Sequence, residues 1–399
     1  MTTARKSCLS VLQAVFFSFA LLATQFQTVG QQSATPSPTL QPLPPTHLLA
    51  RATPWEYVER HDISTSSTVE YTVKKQNVIP ETSNASEISK RYWPVAVSHG
   101  NWFDATRNRS VLIKIYWPVQ FPGKCPVIIF SHGLGGSNEK CAYLGQAWAS
   151  QGFVSVHVQH PGLDEQVWKR KIRPVKELKD VYSQHWSGRT QANDVRFVLD
   201  QLDILAANGT PIGKLLDMTR VGVAGYDLGG LAAMLLAGQQ PPDRGSDLCD
   251  PRIKAIVVMS PPVADQATFV PVSYGAMSTP ALFFTGTEDN GVVGSTKSWQ
   301  RRIPFDYMMG NDRFLITYQD ADHLIYGGHV LPTRSRDDQK YQANVTQASS
   351  LFWRAYLRGE PAVYAYFQGR SLGGIAGTLG RVERRLGGNS VMTPVVAVD

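Results

Sequence analysis

The sequence is short of several features, and each shortage removes a class of protein. Only four cysteines occur in 399 residues, Cys8, Cys125, Cys141 and Cys249. No CxxC pair and no Cys/His spacing of the zinc-holding kind appears, so a metal scaffold is not indicated. Cys8 falls in a segment expected to be removed. The other three permit at most one disulfide, in a pairing that spacing does not choose, and buried small thiols are equally compatible. No block of like charge stands out. Lys169, Arg170, Lys171 and Arg173 cluster loosely, which reads as a solvated loop or helix face; a site for anionic substrates is the sharper alternative. Neither a nucleic-acid module nor a nucleotide-binding loop is present, and no cofactor is implied. After the N-terminus, no stretch is long and apolar enough to cross a bilayer.

What is present is a chain with 43% apolar residues, enough for a substantial core. Arg5 and Lys6 precede an apolar stretch at 11–23 that Gln13 and Ser18 interrupt, and small residues follow at Thr28, Val29 and Gly30. This predicts a signal peptide over 1–30 and an exported protein. The formal charge of +7 falls by two if that segment is removed. Residues 31–46, rich in Pro, Ser, Thr and Gln, predict a flexible linker. Residues 47–91 have one alternating run, at 68–73, and read as a peripheral layer.

From Tyr92 a rhythm sets in. Residues 92–97 and 111–117 read as two strands joined by a turn at 104–108. Short apolar runs at 126–130, 153–158, 221–224, 253–259, 280–285 and 313–318 read as six more. Helical spacing appears at 143–151, at 194–205 (Val195, Val198, Leu199, Leu202), at 231–237 and at 343–357. Two strands that pair locally, then apolar strands alternating with helices, predict a mostly parallel α/β sheet over 92–399 with helices on both faces. Such sheets carry their sites at the carboxyl ends of the strands.

Those strand ends hold the chemistry. After the 221–224 strand comes Gly225-Tyr226-Asp227-Leu228-Gly229-Gly230 and then a helix, the strand–turn–helix setting of a nucleophile elbow. The flanking glycines permit the tight turn, and Asp tolerates the left-handed backbone at its centre. After the 126–130 strand comes Ser131-His132-Gly133-Leu134-Gly135-Gly136. Its Leu134 N–H, with that of Leu228, could stabilise an oxyanion. After the 280–285 strand, Asp289, with Glu288 in reserve, could orient a histidine. His323 follows the last strand, with His329 less well placed. Taken singly, these are a helix-opening turn, a tight connection, a helix-capping acid and a loop histidine. Their order, elbow then acid then histidine, is that of an esterase-type triad. Ser131 and Ser260, also at strand ends, lack elbow glycines on both sides.

The residues at 126–136, with those at 112–118, 148–154, His160-Pro161-Gly162, 196–202 and Ala321-Asp322-His323, resemble dienelactone-hydrolase-type and platelet-activating-factor-acetylhydrolase-like proteins. The resemblance covers roughly residues 92–370. It implies an eight-stranded α/β-hydrolase fold, with Asp289 as acid, His323 as base, and Leu134 and Leu228 as oxyanion donors. The pattern breaks at the nucleophile. Family members usually read Gly-His-Ser-x-Gly, and this chain has Tyr226 and Asp227.

An ionised aspartate suits attack on an sp³ carbon bearing a leaving group, giving an ester that His323-activated water would hydrolyse. Haloalkane dehalogenases and epoxide hydrolases have similar Gly-x-Asp-Trp-Gly elbows. Here Leu228 replaces the tryptophan, and residues 260–279 are too few for the cap those families insert. Residues 161–189, with Trp168, Tyr182 and Trp186, are the candidate lid. Three functions stay open: a hydrolase of a small ester-like or lipid-like substrate using an Asp227–His323–Asp289 set, an inactive hydrolase-fold binding protein, and a dehalogenase or epoxide hydrolase.

Overall fold

The structure is a computed structural model that describes residues 56–60, 72–75, 92–185, 187–241, 247–263, 270–327 and 337–387. The expected signal peptide and linker, Trp186 and His329 lie outside the described residues.

One sheet organises the fold. Its strands are β1 Glu56–Arg60, β2 Thr72–Lys75, β3 Val95–Asp104, β4 Arg109–Pro118, β5 Cys125–Ser131, β6 Val154–Val158, β7 Leu216–Tyr226, β8 Ile253–Met259, β9 Ala281–Glu288, β10 Arg313–Asp322 and β11 Gly380–Arg385. They lie in the order β11-β10-β9-β8-β7-β5-β6-β4-β3-β1-β2. The expected count of eight needs correction, because eleven strands lie among the described residues, and the sheet is mixed, with more parallel than antiparallel pairs. The run from β10 to β6 is parallel throughout. β4 and β3 continue it antiparallel, and β11 closes the other side antiparallel to β10. β11 reads Gly-Arg-Val-Glu-Arg-Arg and buries only Val382. An edge strand with that much charge leaves no apolar run to read, and the charge guards its free edge.

The parallel strands are apolar on both faces because both are covered. Along β5, Val127 and Ile129 join one core while Ile128 and Phe130 join the other, the period-2 alternation of a strand buried on both sides. The first core takes α3 Arg189–Ala207 and α4 Leu228–Leu236; the second takes α1 Ala142–Ser150, α7 Asp337–Tyr356 and α8 Pro361–Gln368. In α3, Val195, Val198, Leu199 and Leu202 are buried, as their spacing predicts. All nine residues of α4 are buried. This helix is apolar on every side because it lies between the sheet and α3. The other α-helices among the described residues are α2 Pro174–His185, α5 Val270–Gly275 and α6 Ile303–Tyr307. Cys125 and Cys141 are buried free thiols and Cys249 an exposed one. No helix among the described residues is long and apolar enough to cross a membrane.

The strand order locates the site. The chain goes from β5 to β6 on one side and then crosses back to β7 on the other. The carboxyl ends of β5 and β7 therefore lie at a topological switch point, the place where sheets of this kind carry their sites.

Candidate active site

Asp227 sits at the turn between β7 and α4 with φ 54° and ψ −122°. This left-handed backbone is one that side chains other than glycine rarely adopt, at a cost of about 1–3 kcal/mol. Surrounding contacts impose it: the Asp227 N–H donates to Met259 O at 3.0 Å, and its carbonyl accepts from Leu231 N–H at 3.1 Å. A Cβ on Gly225 would lie 2.0 Å from Gly229 O, and one on Gly229 would lie 2.0 Å from Ser131 O. Both positions admit only glycine, and the second presses the elbow against the loop after β5.

Asp227 faces two groups. Its Oδ2 accepts from the Leu134 N–H at 3.1 Å. Its Oδ1 stands 3.8 Å from Nε2 of His323, the residue that follows β10. His323 Nδ1 lies 3.0 Å from Asp289 Oδ1. Side-chain exposure falls from 16% at Asp227 to 9% at His323 and 0% at Asp289, so the set runs from a solvent-reachable carboxylate to a buried one. Glu288, the reserve acid, is exposed. Leu228 opens α4 and is buried; as a first-turn residue it has an N–H without an intrahelical partner.

The orientation of the Leu134 N–H follows from the ring beside it. His132 is fully buried, and burial first, then the neighbouring His160, holds it well below the usual histidine range. Its Nε2 accepts the His160 N–H at 3.1 Å, so the ring proton is on Nδ1, which donates to Gly133 O at 2.7 Å. In a trans peptide the C=O and the following N–H point opposite ways. Anchoring Gly133 O therefore turns the Leu134 N–H toward Asp227. Behind this ring, Ser131 Oγ meets His160 Nε2 at 2.9 Å and His160 Nδ1 meets Asp194 Oδ2 at 3.0 Å. Arg107 and Arg109 hold Asp194 at 2.6 and 2.9 Å. Ser131, His160 and Asp194 are all fully buried. Ser131 is thus part of the loop's foundation and has no open face for chemistry.

Four further side chains build the site. Ser260, after β8, places its Oγ 2.6 Å from both Asp289 Oδ1 and His323 Nδ1. Thr285 donates to Asp289 Oδ2 at 3.0 Å. Arg301, buried, donates from Nε to Asp289 O and from Nη1 to the carbonyls of Ser260 and Pro261, at 2.8–2.9 Å. Tyr226 donates its hydroxyl to His323 O at 3.0 Å. Burial, reinforced by the charges of Asp227 and Asp289, pushes this phenol well above its usual range, so it stays a donor. The sequence signals were Ser260's place at a strand end and Tyr226's place in the elbow. Arg301 sits in the turn Ser298–Arg302 and resembles any surface arginine in the sequence.

The 161–189 segment touches the loop after β5. The Trp168 Nε1–H donates to Gly135 O at 2.8 Å, and Gly135 N–H donates to Leu163 O at 2.8 Å. A Cβ on Gly135 would lie 2.9 Å from the Trp168 ring. In α2, the Tyr182 hydroxyl packs on Gly294. Burial, then the Asp227 charge, pushes its phenol up to about 12. Lys169, Arg170, Lys171 and Arg173 are exposed, and Lys169 pairs with Glu165 at 2.5 Å.

Residues 108–167 match the family model described as platelet-activating factor acetylhydrolase, isoform II. The matched stretch holds β4, β5, the loop carrying Leu134, and β6; it stops short of Asp227, Asp289 and His323. No curated protein matches the chain. Over the matched part the chain is similar to an α/β-hydrolase-type family of the lipase and esterase kind.

Proposed function

We propose that this chain is an exported hydrolase of a small ester-like or lipid-like substrate, with Asp227 as nucleophile, His323 as base, Asp289 as orienting acid, and the N–H groups of Leu134 and Leu228 as oxyanion donors. The observation that carries this reading is how the Asp227 carboxylate is divided: Oδ2 on the Leu134 N–H, Oδ1 toward His323 Nε2. Oδ1 attacks an electrophilic carbon, and the leaving group departs with the electron pair of its bond. For an ester this breaks the alkyl–oxygen bond; for a haloalkane or epoxide it breaks carbon–halogen or carbon–oxygen. His323 then takes a proton from a water that attacks Cγ of the Asp227 ester. Negative charge develops on Oδ2, where a donor already stands. Collapse frees the alcohol and leaves the water's oxygen in the Asp227 carboxylate. Residues 161–189 form the lid. Export rests on the sequence of residues 1–30.

The second reading, a binding protein without turnover, is favoured by one fact. Oδ2 occupies the donor that an ester carbonyl would need. One experiment separates the two. His323→Ala is incubated with haloalkane, epoxide and ester panels, and the Asp227 peptide is weighed. A covalent adduct, with ¹⁸O entering Asp227 during native turnover in labelled water, is expected. Absence of adduct and label, together with p-nitrophenyl ester hydrolysis appearing only in Asp227→Ser, would leave the binding reading.

A further inference from the structure

Three groups converge on Nδ1 of His323, and they make opposite demands on it. Asp289 Oδ1 at 3.0 Å can only accept. Arg301 Nη2 at 3.2 Å can only donate. Ser260 Oγ, at 2.6 Å, can do either. If Nδ1 carries the ring proton, Nε2 presents a bare lone pair toward Asp227 and can act as a base. If Nδ1 accepts from Arg301 or Ser260, the proton sits on Nε2 and the ring faces Asp227 as a donor. The acid and the arginine therefore favour opposite tautomers.

We infer that Ser260 is a positioning residue that decides between them in favour of the Nδ1–H tautomer. Its hydroxyl has one proton and two partners, each 2.6 Å away. Given to Nδ1, that proton would leave the Oγ lone pairs 2.6 Å from an anionic oxygen. Given to Asp289 Oδ1, it makes a charge-assisted bond, roughly twice as strong as a neutral one. The lone pairs then face Nδ1, and two atoms at that distance require a hydrogen between them, which the ring must supply. Thr285 donates to Oδ2 in the same sense, so both Asp289 oxygens accept from hydroxyls. Arg301 makes the longest of the contacts to Nδ1, pairs its Nε with Asp289 Oδ1 at 3.2 Å, and gives three N–H bonds to backbone carbonyls. It holds Asp289 in place and locks the Ser260 backbone, which is held at φ 50°. A serine in this left-handed conformation is strained, and the strain aims the hydroxyl into the gap between acid and histidine.

The consequence for chemistry rests on His323 acting as the base proposed above, whereas the tautomer itself is read without any substrate. The full chain is labelled with ¹⁵N-histidine, and long-range ¹H–¹⁵N correlation spectra are recorded, with the His323 signals identified by their loss in His323→Gln. The native protein should show a protonated Nδ1 and a bare Nε2. Ser260→Gly accepts the φ of 50° without strain and removes the hydroxyl, and Ser260→Ala removes it while keeping the Cβ. In each, the Arg301 donor is left to compete with Asp289 alone, and the Nε2–H population should rise on the order of fivefold. A native His323 protonated on Nε2 would overturn the inference. So would folded Ser260→Gly and Ser260→Ala proteins with native His323 signals, because Asp289 alone would then set the tautomer. Either result can be obtained whether or not Asp227 turns a substrate over.

Discussion

Gly229 is the residue at which elbow and oxyanion loop meet. A Cβ there would stand 2.0 Å from Ser131 O and 2.7 Å from His132 O, both backbone atoms of a buried strand end. Neither can withdraw without moving β5, so Gly229→Ala should lose about 3 kcal/mol or more, or fail to fold. Gly162 is the control. It also has a left-handed backbone, φ 82°, but nothing lies within 4 Å of its would-be Cβ. Gly162→Ala should therefore cost only the conformational term, about 1–2 kcal/mol. Urea unfolding of the two variants against the parent gives both numbers, and equal losses would contradict the close approach. Both elbow glycines were legible in the sequence, since the turn's tightness demands them. The identity of the atom that crowds Gly229 was not, because Ser131 is almost a hundred residues away along the chain.

The loop after β5 behaves as part of a larger element. It is bonded to the segment that follows β6 through Gly135 N–H to Leu163 O and Glu165 N–H to Gly136 O, each 2.8 Å, and through the Trp168 Nε1–H to Gly135 O. The loop that presents Leu134 is therefore stitched to the root of the 161–189 segment. Trp168→Phe keeps most of the packing and removes one donor, at a cost of roughly 0.5–1.5 kcal/mol. Hydrogen exchange should report this as faster opening at the Gly135 and Gly136 amides, with the β8 and β9 amides unchanged. Unchanged exchange at Gly135 and Gly136 would show that the loop is held by the backbone bonds alone. The glycines of this loop and its place after a strand were readable from order and spacing. Its partner segment was readable only as an aromatic-bearing stretch, because pairing between two loops leaves no periodicity.

The whole molecule carries an acid sensitivity. His132 and His157 are fully buried, and burial lowers both, His157 to about 3. In the unfolded chain each titrates near pH 6.5. Because the folded values are depressed, the unfolded state takes up more protons below about pH 6.5. The stability linked to these rings is complete above that pH. It is lost as pH falls toward the folded values, at up to about 1.4 kcal/mol per pH unit for each ring. Unfolding free energy measured in urea should therefore fall between about pH 7 and about pH 5, and His157→Phe should make the fall shallower. His157 suits this test because its Nε2 has no partner among the described residues and its ring lies tilted 4.6 Å from Phe130, so a phenyl ring fits the site at the loss of the 3.2 Å contact between Nδ1 and Lys140 O. A profile as steep in the variant as in the parent would assign the loss to other groups.

By itself the sequence determined the apolar strands from β3 to β10, the helices α1, α3, α4 and α7, the elbow glycines, and the chain order that brings Asp227, Asp289 and His323 to one edge of the sheet; α2, α5 and α6 were not read from it. These are local or periodic signals: apolar runs that need cover on both faces, and turns that only glycine permits. The tertiary structure alone decided the count of eleven strands among the described residues, because a charged edge strand such as β11 buries too little to leave a pattern. It alone decided that the Asp227 carboxylate takes the Leu134 N–H, and that Ser260 and Arg301 converge on His323. Hydrogen bonds between residues 22 to 93 positions apart depend on where strands end in space. No property of a serine or an arginine, read in its own neighbourhood, records that meeting.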